Sequence, residues 1–355
     1  AVVTATIDEL PIPESMDAPG GDDFARAVEV GNVVEAVTYG TPDLAYEPAE
    51  ELPYYRDPFH PQRMLVARLD GEIVGTARYE TQSEDDADTA WIGVYVLPEF
   101  QSRGIGRALA GAVEELSRAE GRTKVVVYHG VQAGAGEQLA SPTGFGSVPA
   151  DDRAVRLLLA RGYRLEQVER VSRLALPVEA LEDRLAAAQL ASGPDYALHY
   201  WYGPTPERWR ADVAVLGNRM STDAPSAGLE EPEETWTEER VIAADVRDAA
   251  SPRTRTVAAV EHVPSSHLVG FTVLSVPQQA HRSAAQYATL VLREHRGHRL
   301  GMLLKVANLA HLERVSPGHP SVTTFNAEEN RHMLSVNETL GFVPIAYEGA
   351  WRRDL

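Results

Sequence analysis

Cysteine is missing from all 355 residues. Its absence excludes disulfides, thiolate nucleophiles and zinc–thiolate sites, and fits a reducing cytoplasm, the expected location. Long apolar runs are missing too. Nothing approaches the roughly 18 consecutive apolar residues of a membrane-spanning helix, so no membrane partner is expected. The opening AVVTATIDELPIPE lacks the basic and apolar regions of a secretory signal and is read as not being one. Basic residues are scarce: 33 Lys and Arg face 52 Asp and Glu, a formal net charge of −19. Nucleic acid is therefore not an expected partner, because phosphates need cations to neutralise them. The same field would draw in a cationic small molecule, although most of these carboxylates serve solubility. The 11 His include no H-E-x-x-H, and no G-x-S-x-G supplies a serine nucleophile. No metal site is expected.

The chain does contain one loop used twice. FQSRGIGRALAGAVEEL (Phe100–Leu116) and HRGHRLGMLLKVANLAHL (His295–Leu312) place Gly106 and Gly301 at equivalent points, one in each half. A repeat so widely spaced indicates two copies of a domain rather than a solenoid, whose periods run at roughly 20–50 residues. The length also suits two cores of roughly 100–200 residues each. In the first half, MLVARLD and EIVGTARYE read as strands joined at the turn dipeptide Asp70-Gly71, and TAWIGVYV is a third. A helix follows Gly104 with Leu109, Ala112, Val113 and Leu116 on one face. Then come the strand KVVVY, the helix DDRAVRLLLARG and the strand YRLEQVERVSRLAL. The second half repeats the order: TRTVAAVEH, HLVGFTVLSV, QYATLVL, a helix from about Leu300, SVTTFN, the helix ENRHMLSVNETLG and FVPIAYEGAW. Residues Gly130–Ala150, rich in Gly, Ser and Pro, are predicted to be an irregular loop. We expect domains at 1–177 and 195–355, joined by a helical linker at 178–194 that ends in Ser192-Gly193-Pro194.

A strand, a short loop and a helix N-terminus make an anion site, since the first helical turn has free N–H groups and a partial positive charge. Glycine at 104 and 106 lets a pyrophosphate approach the backbone, and Gln101, Arg103 and Arg107 add donors. No Lys-Ser/Thr follows, so this is not a P-loop. Leu109 stands where a dinucleotide fingerprint needs its third glycine.

The stretch VYVLPEFQSRGIGRAL resembles motif A of the GCN5-related N-acetyltransferases (GNATs), V-x-P-x-x-Q/R-x-x-G-x-G/A, matched by Val96, Pro98, Gln101, Gly104 and Gly106. Gly162-Tyr163 and Gly341-Phe342 look like the closing helix-to-strand turn of that family, and TTFNAEENRHMLSVNETLGF is similar to its distal part. The resemblance spans nearly the whole chain as a tandem pair, in the manner of mycothiol synthase. It implies an α/β (α+β) protein of two tandem acyl-CoA N-acyltransferase domains, each a mixed twisted sheet flanked by helices.

It also implies acetyl-CoA as cosubstrate and a primary amine as acceptor, which the net charge of −19 suggests is small and cationic. The pyrophosphate would rest on Gln101, Ser102, Arg103, Gly104, Ile105, Gly106 and Arg107, and the pantetheine beside Val94 and Val96. The matching positions in the second half are Val291, Arg296, Gly297, Arg299 and Gly301, with Arg299 where the first glycine belongs. Asn326 and Asn330 would contact the cofactor or else cap the following helix. A backbone N–H near Val96 or Leu97 would polarise the acetyl carbonyl. The tyrosine acid of many family members is replaced by Leu158 and Asn337, and no Glu lies on either third strand at the usual place for a base. The remaining candidates are Glu80 and Asp88 as bases and Tyr128 and His129 at the end of the fourth strand, each weighed against a purely structural role. Of these we retain Glu80 and His129. The acidic runs SEDDAD and EEPEETWTEE read as solvated faces, with the alternative that Trp236 holds a cationic amine. An acyl-CoA-binding sensor without turnover is the competing function.

Overall fold

The computed structural model describes residues 4–84 and 86–355. The first half runs β1 (Thr6–Glu9), α1 (Gly21–Tyr39), α2 (Pro48–Glu51), β2 (Gln62–Leu69), β3 (Glu72–Glu80), β4 (Thr89–Val96), α3 (Ile105–Ala119) and β5 (Lys124–Val131). It continues with a hairpin of β6 (Gln138–Ala140) and β7 (Ser147–Pro149), then α4 (Arg153–Ala160) and β8 (Arg164–Ala175). Helix α5 (Leu181–Ser192) leads to β9 (Tyr196–Tyr202), α6 (Arg210–Asp223), α7 (Glu238–Ala249), β10 (Thr254–His262), β11 (His267–Val276) and β12 (Ala284–Val291). The chain closes with α8 (Leu300–Val315), β13 (Ser321–Ala327), α9 (Arg331–Leu340) and β14 (Val343–Asp354).

Local chemistry accounts for these elements. The β2–β3 turn uses Asp70 at φ 51° and Gly71 at φ 88°, the left-handed pair a tight two-residue hairpin requires. Helix α3 buries Leu109 and Val113 against Val74, Ala77 and Ile92, with Ala112 and Leu116 packed beside them. Helix α8 is apolar almost all round because α5 covers its outer side, with Leu181, Leu185 and Ala188 joining the same cluster. Segment Gly130–Ala150 is more ordered than its composition predicts: β5 extends to Val131, and β6 pairs with β7.

The sheet departs from two self-contained copies. Twelve strands form one sheet in the order β1-β2-β3-β4-β5-β14-β8-β13-β12-β11-β10-β9. The last strand of the second half, β14, pairs with β5 of the first, and β8 pairs with β13 of the second. Between them, β14 and β8 lie antiparallel to one another. The order reads identically from either end, so the duplication survives as an internal two-fold pattern with its final strands exchanged. Each half keeps its own cores. Helix α1 covers Met64, Val66 and Ile73 on one face, and α3 covers Leu65 and Ala77 on the other. Helices α6 and α8 repeat this over β10–β12.

Candidate active site

Strands β4 and β5 run parallel and pair only from Thr89↔Lys124 to Ile92↔Val127. Beyond that point they diverge, leaving a fork that opens toward the N-terminus of α3. The second half repeats this: β12 and β13 pair only at Ala284↔Val322 and Ala285↔Thr323. Leu97 donates its N–H to Val74 O at 3.0 Å, so strand alternation turns the main-chain groups of Val94 and Val96 into the fork. Leu292 donating to Val269 O at 2.8 Å does the same for Val291. Leu97 is thereby removed as a carbonyl-polarising donor, and the Val96 N–H remains.

At the open end, the loop adopts the same backbone in both halves. Ser102 and Gly104 have φ of 62° and 86°, and Gly297 and Arg299 have 88° and 60°. The first intrahelical donors are Ala108 to Gly104 and Leu303 to Arg299, so the N–H groups of Ile105, Gly106 and Arg107 point out of the helix unshared. A Cβ at Gly104, Gly297 or Gly301 would meet no atom within 4 Å, and one at Gly106 would meet only Val96 Cγ2 at 3.7 Å. Packing does not demand glycine inside α3 or α8, where it costs about 1 kcal/mol against alanine. A surface kept bare at a helix N-terminus fits a pyrophosphate. Arg299, left-handed with a full side chain, carries strain that Gly104 avoids.

Two expected phosphate ligands have other work. Gln101 donates to Val96 O at 2.9 Å and accepts from Arg153 at 3.0 Å, bracing β4 against α4. Arg296 reaches Val291 O at 3.4 Å in the corresponding manner and Asp223 at 3.5 Å. Arg103 contacts Glu99 O and lies over Phe100, and with Arg107 stays exposed beside the loop. Asn330 caps α9 through the Met333 N–H. Asn326 accepts from Asn337, which in turn accepts from the buried Lys305. These two asparagines are thus tied into the structure of the second half.

The retained acid–base candidates fall on opposite sides of the fork. Glu80 sits opposite Trp91, at the closed end. Burial raises its carboxyl, and His60, Glu234 and Asp57 lie around it. His129 is past the last paired residue, on the α4 side, with Nε2 3.4 Å from the Asp152 carboxylate that caps α4.

The acidic runs are not plain solvated faces. Asp85 lies outside the described residues, but Glu84 meets Arg240 at 3.1 Å and Glu234 meets His60 at 2.8 Å. Glu231 accepts from the Tyr128 hydroxyl. The cation on Trp236 is internal: the Arg240 guanidinium lies 4.4 Å from the ring centroid. These contacts clamp α7 to the first half.

Sequence reading missed the face opposite α3. Tyr95 folds back so that a Cβ on Gly93 would come within 2.7 Å of its hydroxyl, which places that hydroxyl at the fork's first unpaired residue. Burial, then Glu35, raises its pKa and keeps it protonated. Glu35 and Glu348, whose charges act on Tyr95, help line a cavity of about 470 Å³ together with Tyr39, Tyr128, Glu169 and Gln286, among others. Tyr128 is the residue after Val127 and Gln286 the residue after Ala285, so the cavity touches the apex of both forks.

Residues 35–135 match the model of the acetyltransferase (GNAT) family. The match to that family lies within the first half. The whole chain is similar in structure to a tandem GNAT protein from the clavulanic acid biosynthesis pathway, solved without acetyl-CoA. The two are 25% identical, with TM-score 0.73 and 98% of each chain covered. It shares its fold with a GCN5-related N-acetyltransferase from Sphaerobacter thermophilus (17% identity, TM-score 0.62, 99% and 95% covered). A further likeness in fold is to a protein of Pyrococcus horikoshii named a putative acetyltransferase (12% identity, TM-score 0.55, 99% and 90% covered). Among curated proteins, no sequence matches significantly. The fold shared with these structures is the GNAT fold, repeated in tandem. No helix among the described residues is long and apolar enough to cross a membrane, and no cluster there could hold a metal ion.

Proposed function

We propose that the protein is an N-acetyltransferase that moves acetyl from acetyl-CoA to a primary amine of a small cationic acceptor, chiefly in its first half. The observation that carries this reading is the β4–β5 fork ending at the bare N-terminus of α3. Acetyl-CoA would rest its pyrophosphate on the N–H groups of Ile105 to Arg107 and lay its pantetheine along Val94 and Val96, as an added strand. Arg103 and Arg107 would contribute charge.

The thioester would then reach the apex, next to Gly93 and Tyr95. The neutral amine attacks the carbonyl carbon, the N–C bond forms and the C–S bond breaks. The Val96 N–H is the donor available to the developing oxyanion. Tyr95, held neutral by burial, supplies the proton that the departing thiolate takes and regains one from the acylated nitrogen. Its counterpart at the matching place in β12 is Leu290, which has no proton to give. That difference, with the strained Arg299, favours the first half as the working one.

The test is thiol release by the purified protein from acetyl-CoA against a panel of primary amines, with CoA binding followed by calorimetry. Amine-dependent release supports transfer. Tight CoA binding with no release over the whole panel supports the sensor.

A further inference from the structure

We infer that the cavity between the fork apices is a binding site for a cationic primary amine, held by Glu169 and Glu348. The exchange of final strands creates it. Glu348 on β14 and Glu169 on β8 are direct cross-strand partners, so both side chains rise from the same face, roughly 5 Å apart at Cβ. Two carboxylates placed so are costly unless a proton or a cation lies between them.

No protein cation does so among the described residues. Glu169 has no hydrogen-bond or ion-pair partner there. Glu348, only 8% exposed, gives one oxygen to the Tyr39 hydroxyl, and its other oxygen has no partner. Arg253, the guanidinium in the cavity wall, is held by Ser275 at 2.8 Å and by Glu50 at 3.4 Å. Asp43 at the rim is taken by Arg173 at 2.6 Å. Glu35 adds a third unpaired carboxylate. Burial pushes Glu169 up to about 8 and Glu348 up to about 7, as expected of acids lacking a counter-ion.

The aromatic walls, Tyr39, Tyr46, Tyr128 and Phe325, suit an organic ammonium better than a hydrated metal ion. If the bound amine is the acceptor, which rests on the transferase reading, the carboxylate pair also serves the chemistry. One carboxylate takes a proton from the ammonium and leaves a neutral nucleophile. The second proton, shed by the nitrogen once the N–C bond has formed, restores the Tyr95 hydroxyl that protonated the departing thiolate.

The test is calorimetric titration of the full chain, without acetyl-CoA, using putrescine, benzylamine and benzyl alcohol. Both amines should bind and benzyl alcohol should not. Glu169→Gln and Glu348→Gln should each weaken amine binding at least tenfold while CoA affinity changes less than twofold. Glu35→Gln, on a half-exposed helical position where misfolding is not expected, should weaken it a few-fold, and melting curves check that every variant is folded. Unchanged amine affinity in all three variants, equal binding of the alcohol, or no binding of either amine overturns the inference. Amine binding without any acetylation would leave this site standing and remove the transferase reading.

Discussion

Replacing Gly104 with Asp separates fold from function at the loop. The residue is exposed, left-handed at φ 86°, and a Cβ there meets nothing within 4 Å. The folded state loses only the cost of a left-handed non-glycine residue, about 1–2 kcal/mol, offset by about 0.4–1 kcal/mol from a stiffer unfolded chain. Arg299 already tolerates this conformation in the second half. A net loss near 1 kcal/mol should lower Tm by only about 2–4 °C. Binding suffers more. A carboxylate roughly 5 Å from a phosphate charge, at an effective dielectric of about 40, costs about 1.7 kcal/mol per unit charge. CoA affinity should therefore fall at least tenfold, about 1.4 kcal/mol. Gly104→Ala should keep most of it. Titration of both variants at low and high salt, beside melting curves, is the assay, with the Asp effect shrinking as salt rises. A folded Gly104→Asp protein with unchanged dissociation constant would refute the phosphate cradle.

Four further outcomes are expected. Gly301→Asp should reduce acetyl transfer less than Gly104→Asp; if it alone abolishes turnover, the second half is the working one. Tyr95→Phe should slow turnover by about 10²-fold or more, with CoA affinity within twofold, measured by thiol release under saturating substrates. Deleting residues 343–355 should cost both halves, because β14 fills the sheet between β5 and β8; a truncated chain with an intact, cooperatively melting first half would contradict the exchange. Glu169 and Glu348 have carboxyls raised above the unfolded value near 4.5, so the native state binds the extra protons. Their contribution is lost as pH rises from about 4.5 through 7 and 8. His60, raised to about 9, acts in the same direction, and Lys305, lowered to about 7, acts oppositely. Denaturant titrations should thus show Glu348→Gln gaining on wild type between pH 5 and pH 8; a constant difference across that range would exclude a raised carboxyl.

The loop and the fork strands were legible because they are local. Alternating apolar residues mark β2, β3 and β4, Asp70-Gly71 forms the turn, and motif A carries its glycines in sequence. The exchange was not legible. FVPIAYEGAW and YRLEQVERVSRLAL each read as a closing strand, and nothing in either stretch says whose sheet it closes. The cavity inherits that silence, since Glu169 and Glu348 meet only through the exchanged pairing. Tyr95 was passed over as one residue of an alternating strand; its special place comes from Gly93, whose missing side chain lets the ring fold back. The acidic run around Trp236 misled because its partners, His60, Glu84 and Tyr128, lie far away in the chain.

The most direct test of the central claim is a crystal structure of the protein with CoA. The pantetheine should lie between β4 and β5, hydrogen-bonded to the main chain of Val94 and Val96, with the pyrophosphate on the N–H groups of Ile105 to Arg107. CoA bound elsewhere, with that fork empty, would contradict the account.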